Sequence, residues 1–339
     1  CTKNLPDVAV TPSEHFNTIT YTGTDADNRA ITGVGFQPDF AWFRRRNTTT
    51  NHGLFDVLRG ANKRLSSNLT DAEFSDSNAL MSFDSDGYTV SSDGTTNAAG
   101  TYVAWNWKAN GSGSSNTDGT ITSTVSANTD AGFSIVKWTG NGTTGHGLSS
   151  APEMIIVKPV DVTGAWWTWH KDLSNTSQGY LQLNTTAAEA TNSSLWDNAS
   201  PVTSTTINAN TAYINYATDN YITYCFHSVD GYSKVGSYVG NGSADGTFVY
   251  TGFKPMMLIS KYVGTEDWNI IDTKRSPHNL MEDLLKPNSS AAEIDTQIDI
   301  DFLSNGFKPR INSGFLNGNG HTIIYIAFAE TPFKYSNAR

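Results

Sequence analysis

The chain has 339 residues, room for roughly two or three domains and a sizeable core. Charged residues are only 16% and aromatics reach 12%, which excludes a disordered chain and leaves a polar, uncharged, aromatic-rich composition typical of extracellular or particle-surface β-proteins. The 22 basic and 32 acidic residues give a net charge of −10, which excludes duplex nucleic acid as the main partner.

In chain order, residues 1–15 form an N-terminal segment that opens on Cys1 rather than Met, so the sequence reads as a fragment or processed product. Cys1 and Cys225 are the two cysteines; neither a disulfide framework nor a CxxC zinc pattern is present. No apolar run approaches the ~18 residues of a membrane helix.

A first β repeat is expected over 16–110. It opens on "FNTITYTGT", an alternating strand ending Tyr21-x-Gly23. "GFQPDFAWFRRR" follows, with Pro38 at a strand start, where no ladder hydrogen bond is lost. Next come "HGLFD" (52–56), a hairpin at "DSDG" (84–87) and a closing strand "YVAWNWK" (102–108). Residues 111–131 are rich in Gly, Ser, Asn and Thr and read as a flexible connector. The second repeat, 132–230, repeats the order: "FSIVKWTGNG" ending Trp138-x-Gly140, the run after Pro152, "WWTWH" (166–170) and "YITYCFH" (221–227). Cys225 in that last strand reads as a small buried apolar residue. The third, 231–333, follows through Asp230-Gly231 with almost no linker: "YSKVGSYVGNG", the run after Pro255, "WNIID" (268–272), a turn at "LSNGF" (303–307) and "IIYIAFA" (323–329). Residues 334–339 remain as a tail. The three glycines are read as turn residues with positive φ. Only "PHNLMEDLLKPN" (277–288) and, more weakly, "AAEATNSSLWDN" (187–198) have helical spacing. The expected fold is therefore all-β, with three tandem β-sandwich-like repeats of about 100 residues, short hairpins and few helices.

The strings "LFDVLRGANKRLSSN" (54–68), "FDSDGYTV" (83–90), "YCFHSVDGYSKVGSYVGNG" (224–242) and "YIAFAETPFKYSNAR" (325–339) resemble a repetitive β-domain family of tail-fibre and other virion proteins of marine and cyanobacterial phages. The resemblance covers nearly the whole chain from about residue 16. It implies a virion structural protein near the end of a long protein, with copies of itself and other virion proteins as partners, and a trimer as the expected oligomer. It brings no catalytic motif with it.

Comparing the repeats with one another sorts the candidate residues. Trp166 falls with Trp268 and His52, and Trp169 with Phe55 and Ile271, so both read as packing positions. Trp167 falls with Gly53 and Asn269, so no shared core requires it, and it is a candidate sugar-stacking platform. Trp196, in a loop-like stretch, is a second. Arg44 and Arg46 share one face of their strand and are candidates for an acidic glycan or phosphate; pairing with Asp or Glu is the competing reading. Asp56, His170 and Asp272 recur at one position and read as strand-end caps rather than as catalytic groups. Glycoside hydrolysis would need two acids about 5–9.5 Å apart, and the sequence places no such pair. In "DSDG" Gly87 comes fourth and no Glu follows, unlike a calcium loop. No HExxH, GxSxG or phosphate-binding loop occurs. The sequence is thus read as a non-enzymatic structural and adhesion protein of a virion surface, with host surface glycans as the candidate ligand and no cofactor or metal. A purely architectural capsid or filament decoration, or a glycan depolymerase, are the alternatives. A surface protein lipid-anchored through Cys1 is the alternative localisation.

Overall fold

The computed structural model describes residues 10–196, 200–210, 214–295 and 298–330; Cys1 and the tail 334–339 lie outside them. It is all-β, with a three-residue 3₁₀ turn at Pro12–Glu14 and a four-residue helix at Gly314–Asn317 as its helical elements.

Each repeat sets the same four antiparallel strands side by side, the opening strand beside the closing strand, then the strand near the proline, then the strand ending in Asp or His; in the first and third repeats they are the whole sheet and in the second the centre of an eight-stranded one. In the first repeat these are Phe16–Gly23, Gly100–Trp107, Phe40–Arg45 and Gly53–Asp56. In the second they are Phe133–Thr139, Asn220–Phe226, Met154–Pro159 and Trp167–His170. In the third they are Ser233–Val239, Thr322–Ala329, Pro255–Tyr262 and Trp268–Asp272. Registers coincide as well. Asp56 lies opposite Phe40, which lies opposite Trp107; His170, Met154 and Phe226 form the equivalent row, as do Asp272, Met257 and Phe328.

Alternation along the strands gives every sheet two apolar faces, because both are covered. On the inner faces Trp107, Phe226 and Phe328 meet in one aromatic layer, with ring centroids 5.6 Å apart for Trp107–Phe328 and 6.1 Å for Phe226–Phe328. Phe40 stacks on Tyr224 at 4.3 Å, joining the first repeat to the second. The three sheets therefore close around one shared core, at about 1.5–3 kcal/mol for each fully buried large apolar side chain. On the outer face of the first sheet, Phe43, Phe55 and Ala104 pack under a three-stranded sheet of Arg29–Thr32, Gly87–Val90 and Leu80–Asp84. The third repeat has the same second layer, from Val249–Tyr250, Gly306–Pro309 and Ile300–Leu303. In the second repeat only the two-stranded pair Thr144–Gly145 and Thr206–Ile207 stands in that place.

Three expectations are corrected. The segment 111–131 is not a bare connector: Ser114–Asn116 and Ser123–Asn128 add two strands to the edge of the second sheet. Its small residues alternate around Val125, which is buried, so a Ser/Thr-rich composition is compatible with an edge strand. Residues 277–288 form no helix. Met281, Leu284 and Leu285 instead bridge to Ile300, Ile294 and Ile270, so their apolar spacing serves an irregular edge of the third core. Ala190–Thr191 is a short strand and Trp196 bridges Ala209, so the described part of 187–198 is not helical either. Finally, Gly23, Gly140 and Gly240 do not have positive φ. A Cβ there would lie 2.0, 2.0 and 2.3 Å from the carbonyl oxygens of Ala98, Tyr216 and Gly318, so close backbone approach is what requires them.

Candidate functional site

The recurring polar residues face the junctions between repeats. Asp56 is fully buried and its Oδ1 accepts the amides of Leu58 (3.1 Å) and Arg59 (2.9 Å), capping the turn after its strand. Its Oδ2 accepts from Arg59 Nε at 2.6 Å and from Tyr224 of the second repeat at 2.8 Å. Asp272 repeats this, with Lys274 and Arg275 amides on Oδ1, Arg275 Nε on Oδ2 at 2.6 Å, and Trp105 Nε1 of the first repeat at 3.0 Å. In the second repeat His170 Nδ1 accepts the Asp172 amide, leaving Nε2 to donate to the Tyr325 carbonyl of the third repeat at 3.3 Å. Burial pushes the His170 imidazole down to about 4, so it is neutral there. Each corner is thus closed by the following repeat, and the third is closed by the first.

A second set of contacts runs the same way round and rests on a motif that the sequence reading missed. "LSSNLTDAE" (65–73), "LQLNTTAAE" (181–189) and "LKPNSSAAE" (285–293) share Leu, Asn, Ala and Glu at fixed positions. Each lies across the neighbouring repeat as a strap. Trp166 Nε1 donates to the Ser66 carbonyl, Trp268 Nε1 to that of Gln182, and His52 Nε2 to that of Lys286, at 3.0, 3.0 and 3.1 Å. The amides of Glu73, Glu189 and Glu293 donate to Val160, Val263 and Arg46 carbonyls at 2.7, 2.6 and 2.8 Å. The strap asparagines Asn68, Asn184 and Asn288 accept the amides of His52, Trp166 and Trp268 in their own repeats. The exact triplication of L-x-x-N-x-x-x-A-E was the available signal.

Arg44, Lys158 and Lys261 also occupy one equivalent position, two residues beyond Trp42, Ile156 and Ile259, and all three are fully buried. Desolvation lowers Arg44 to about 10 and each lysine to about 8. Each sends a donor to a backbone carbonyl: Arg44 Nη2 to Ser290 at 2.7 Å, Lys158 to Pro159 at 2.8 Å, Lys261 to Gly264 at 2.5 Å.

This geometry engages three of the four predicted ligand residues in contacts within the chain. Arg44 and Arg46 do not face an external anion. Arg44 clamps the third repeat, and Arg46 is paired with Glu293 at 2.6 Å because the strap brings that carboxylate across the junction. Trp196 is 1% exposed, with its Nε1 donating to the Gly179 carbonyl, so it is core rather than platform. Trp167 is half-buried, edge-on to Tyr180 with centroids 5.1 Å apart. The Asp86 carboxylate of "DSDG" accepts from the amides of Gly33 and Gly35. Cys225 is buried, its thiol pushed up to about 12 by desolvation.

The open concave feature is a cleft of about 330 Å³ where the first repeat's corner meets the added strands of the second. Val57 and Leu58 form one wall; Ser115, Thr124, Lys137, Thr139 and Asn220 form the other, over the buried Trp138. Comparison with curated proteins and with solved structures finds no match. One family, described as a domain of unknown function (DUF7483), matches residues 11–332. That span takes in all three repeats. The chain belongs to the DUF7483 family.

Proposed function

We propose that this protein is a non-enzymatic structural and adhesive component of a virion surface, such as a fibre, spike or tail appendage, displayed in several copies. The observation that carries the reading is the direction of the recurring polar chemistry. Buried carboxylates, ring N–H groups, the Arg44 guanidinium and the strap glutamate amides join one repeat to the next, which is what a rigid display module needs. The resemblance of the strings at 54–68, 224–242 and 325–339 to virion β-domains supplies the setting. The polar cleft between the first and second repeats is the concave surface on which a host glycan would sit. Copies linked on one particle would raise weak binding by ~10²–10⁴ through avidity.

A glycan array read with protein multimerised on a scaffold tests the adhesive half, and imaging of intact particles at a resolution that shows neighbouring faces tests the structural half. Absence of binding to any glycan or host envelope sinks the first and leaves the second. Reducing-end release from host polysaccharide, lost on a single Asp or Glu substitution, would replace both with a depolymerase. A purely architectural role is the second reading, and the engagement of Arg44, Arg46 and Trp196 in internal contacts favours it.

A further inference from the structure

Comparing the outer layers of the three repeats isolates one surface that the shared scaffold does not explain. In the third repeat Val249 lies opposite Phe307 and both are buried, so Phe248 and Tyr250, the chain neighbours of Val249, occupy the solvent face of that sheet. Phe248 is 45% and Tyr250 65% exposed, among the most exposed large apolar side chains of the protein. The equivalent registers hold Ala30 and Thr32 in the first repeat and Thr143 and Gly145 in the second. The scaffold therefore builds this strand without aromatics twice, and the two rings are not needed for the fold. Gly306, opposite Tyr250, is buried beneath this face: a Cβ there would lie 2.0 Å from the Val249 carbonyl oxygen and 3.2 Å from the Phe248 ring.

We propose that Phe248 and Tyr250 form a stacking site for a neutral pyranose ring of a glycan. An aromatic ring offers a flat apolar face to the C–H face of a sugar, and bordering polar groups meet its hydroxyls. Those groups are present. Lys308 follows Gly306 on the same face and is paired with Asp245 at 2.5 Å, while Arg310 joins Asp245 (3.1 Å) and Asp301 (2.6 Å). Two cations and two carboxylates cancel, so the border holds donors and acceptors without a net field for a polyanion. This balance selects a neutral saccharide over an acidic one. Size argues the same way. Two ring faces offer on the order of 100–200 Å², far below the ~800 Å² per partner of a stable protein interface.

The proposal deepens the adhesive reading and rests on it. The test is saturation-transfer NMR with methyl α- and β-pyranosides of glucose, galactose, mannose and N-acetylglucosamine, run beside the multimer glycan array. Wild type should transfer saturation to the ring protons of at least one glycoside. Y250A and F248A should each weaken it about tenfold, the double variant should abolish it, and Y250F should keep it. Because both rings are exposed, the melting temperature of these variants should stay near that of wild type. If array binding and transfer survive in the double variant, the adhesive reading stands and this shelf is wrong. If wild type binds no sugar in either assay, both fail. Self-association in sedimentation that the double variant loses would make the rings an interface between copies and would also overturn the proposal.

Discussion

The interlocked ring is most directly probed at Asp56. Its side chain is fully buried and accepts four hydrogen bonds, from the Leu58 and Arg59 amides, Arg59 Nε and Tyr224 Oη. Asp56→Ala leaves the buried Arg59 guanidinium with only Glu73 at 3.3 Å as a counter-charge, and leaves the Tyr224 hydroxyl without its acceptor. Breaking a buried ion pair from one side costs about 3–5 kcal/mol, and an orphaned buried hydroxyl adds about 1–3. The sum, on the order of 5 kcal/mol, is a large part of the ~5–15 kcal/mol that holds a typical protein folded. Tyr224→Phe is the milder probe. It removes one bond to a charged acceptor, about 1–2 kcal/mol, and leaves the other three in place. Because the lost bond joins two repeats, urea unfolding followed by fluorescence and by circular dichroism should show one coincident transition that moves as a whole. Separate transitions for separate repeats, or an Asp56→Ala effect under about 1 kcal/mol, would refute the closed ring.

Other expectations follow from the same contacts. Lys158 and Lys261 have folded pKa values near 8, below the usual 10.5, so the unfolded chain binds more protons between those limits. Stability should therefore rise as pH climbs from 8 toward 10, by up to about 3 kcal/mol per lysine. It should then fall above pH 10, because buried phenols such as Tyr224 and Tyr88 are held protonated by the fold. Lys158→Met should raise the melting temperature at pH 7 and flatten the rise measured by calorimetry across that window. Gly140→Ala, whose Cβ would meet the Tyr216 carbonyl at 2.0 Å, should destabilise strongly in denaturant titration, whereas Gly94→Ala, with nothing within 4 Å, should stay within about 0.5 kcal/mol. Trp196→Ala should cost about 3–5 kcal/mol of stability in the same titration, as a core truncation does.

The fold was legible in the sequence wherever one residue type answered one local demand. Alternating aromatics marked the opening strands, the prolines marked the starts of buried strands, and Asp-Gly and Asn-Gly marked hairpins at 84–87 and 303–307. What sequence periodicity could not supply was the return of each repeat upon its neighbour. Tandem repeats in a chain can string out or close, and the choice lies in contacts such as Trp105 to Asp272, 167 residues apart. For the same reason Arg44 looked free for a ligand, since Ser290 lies 246 residues away. Trp196 looked exposed because Ser, Asn and Asp surround it; the Gly179 carbonyl that takes its N–H is on a strand that local pattern does not connect to it. Trp167 and the Phe248–Tyr250 pair were both open to the comparison of repeats, and only the first was drawn from it.

Closure also explains why the corners are not identical. The residue facing each corner from the following repeat is Tyr224 for Asp56, Trp105 for Asp272 and, at the equivalent register, Ile326 for His170. Tyrosine and tryptophan carry a donor, and their corners carry a carboxylate that accepts it together with an arginine three residues on. Isoleucine carries none. A carboxylate at 170 would be buried without that donor, and without a cation as well, because Leu173 stands where Arg59 and Arg275 stand in the other repeats. A neutral imidazole solves the same problem with the opposite polarity, since its Nδ1 still accepts the turn amide while its Nε2 donates to the Tyr325 carbonyl. The strap glutamate follows suit: Glu73 and Glu293 pair with the corner arginines, while Glu189 accepts instead from Ser174 and Asn175. Corner, facing residue and strap have therefore changed together at one junction, which is what a ring held by complementary buried groups requires and what three independent repeats would have no reason to do.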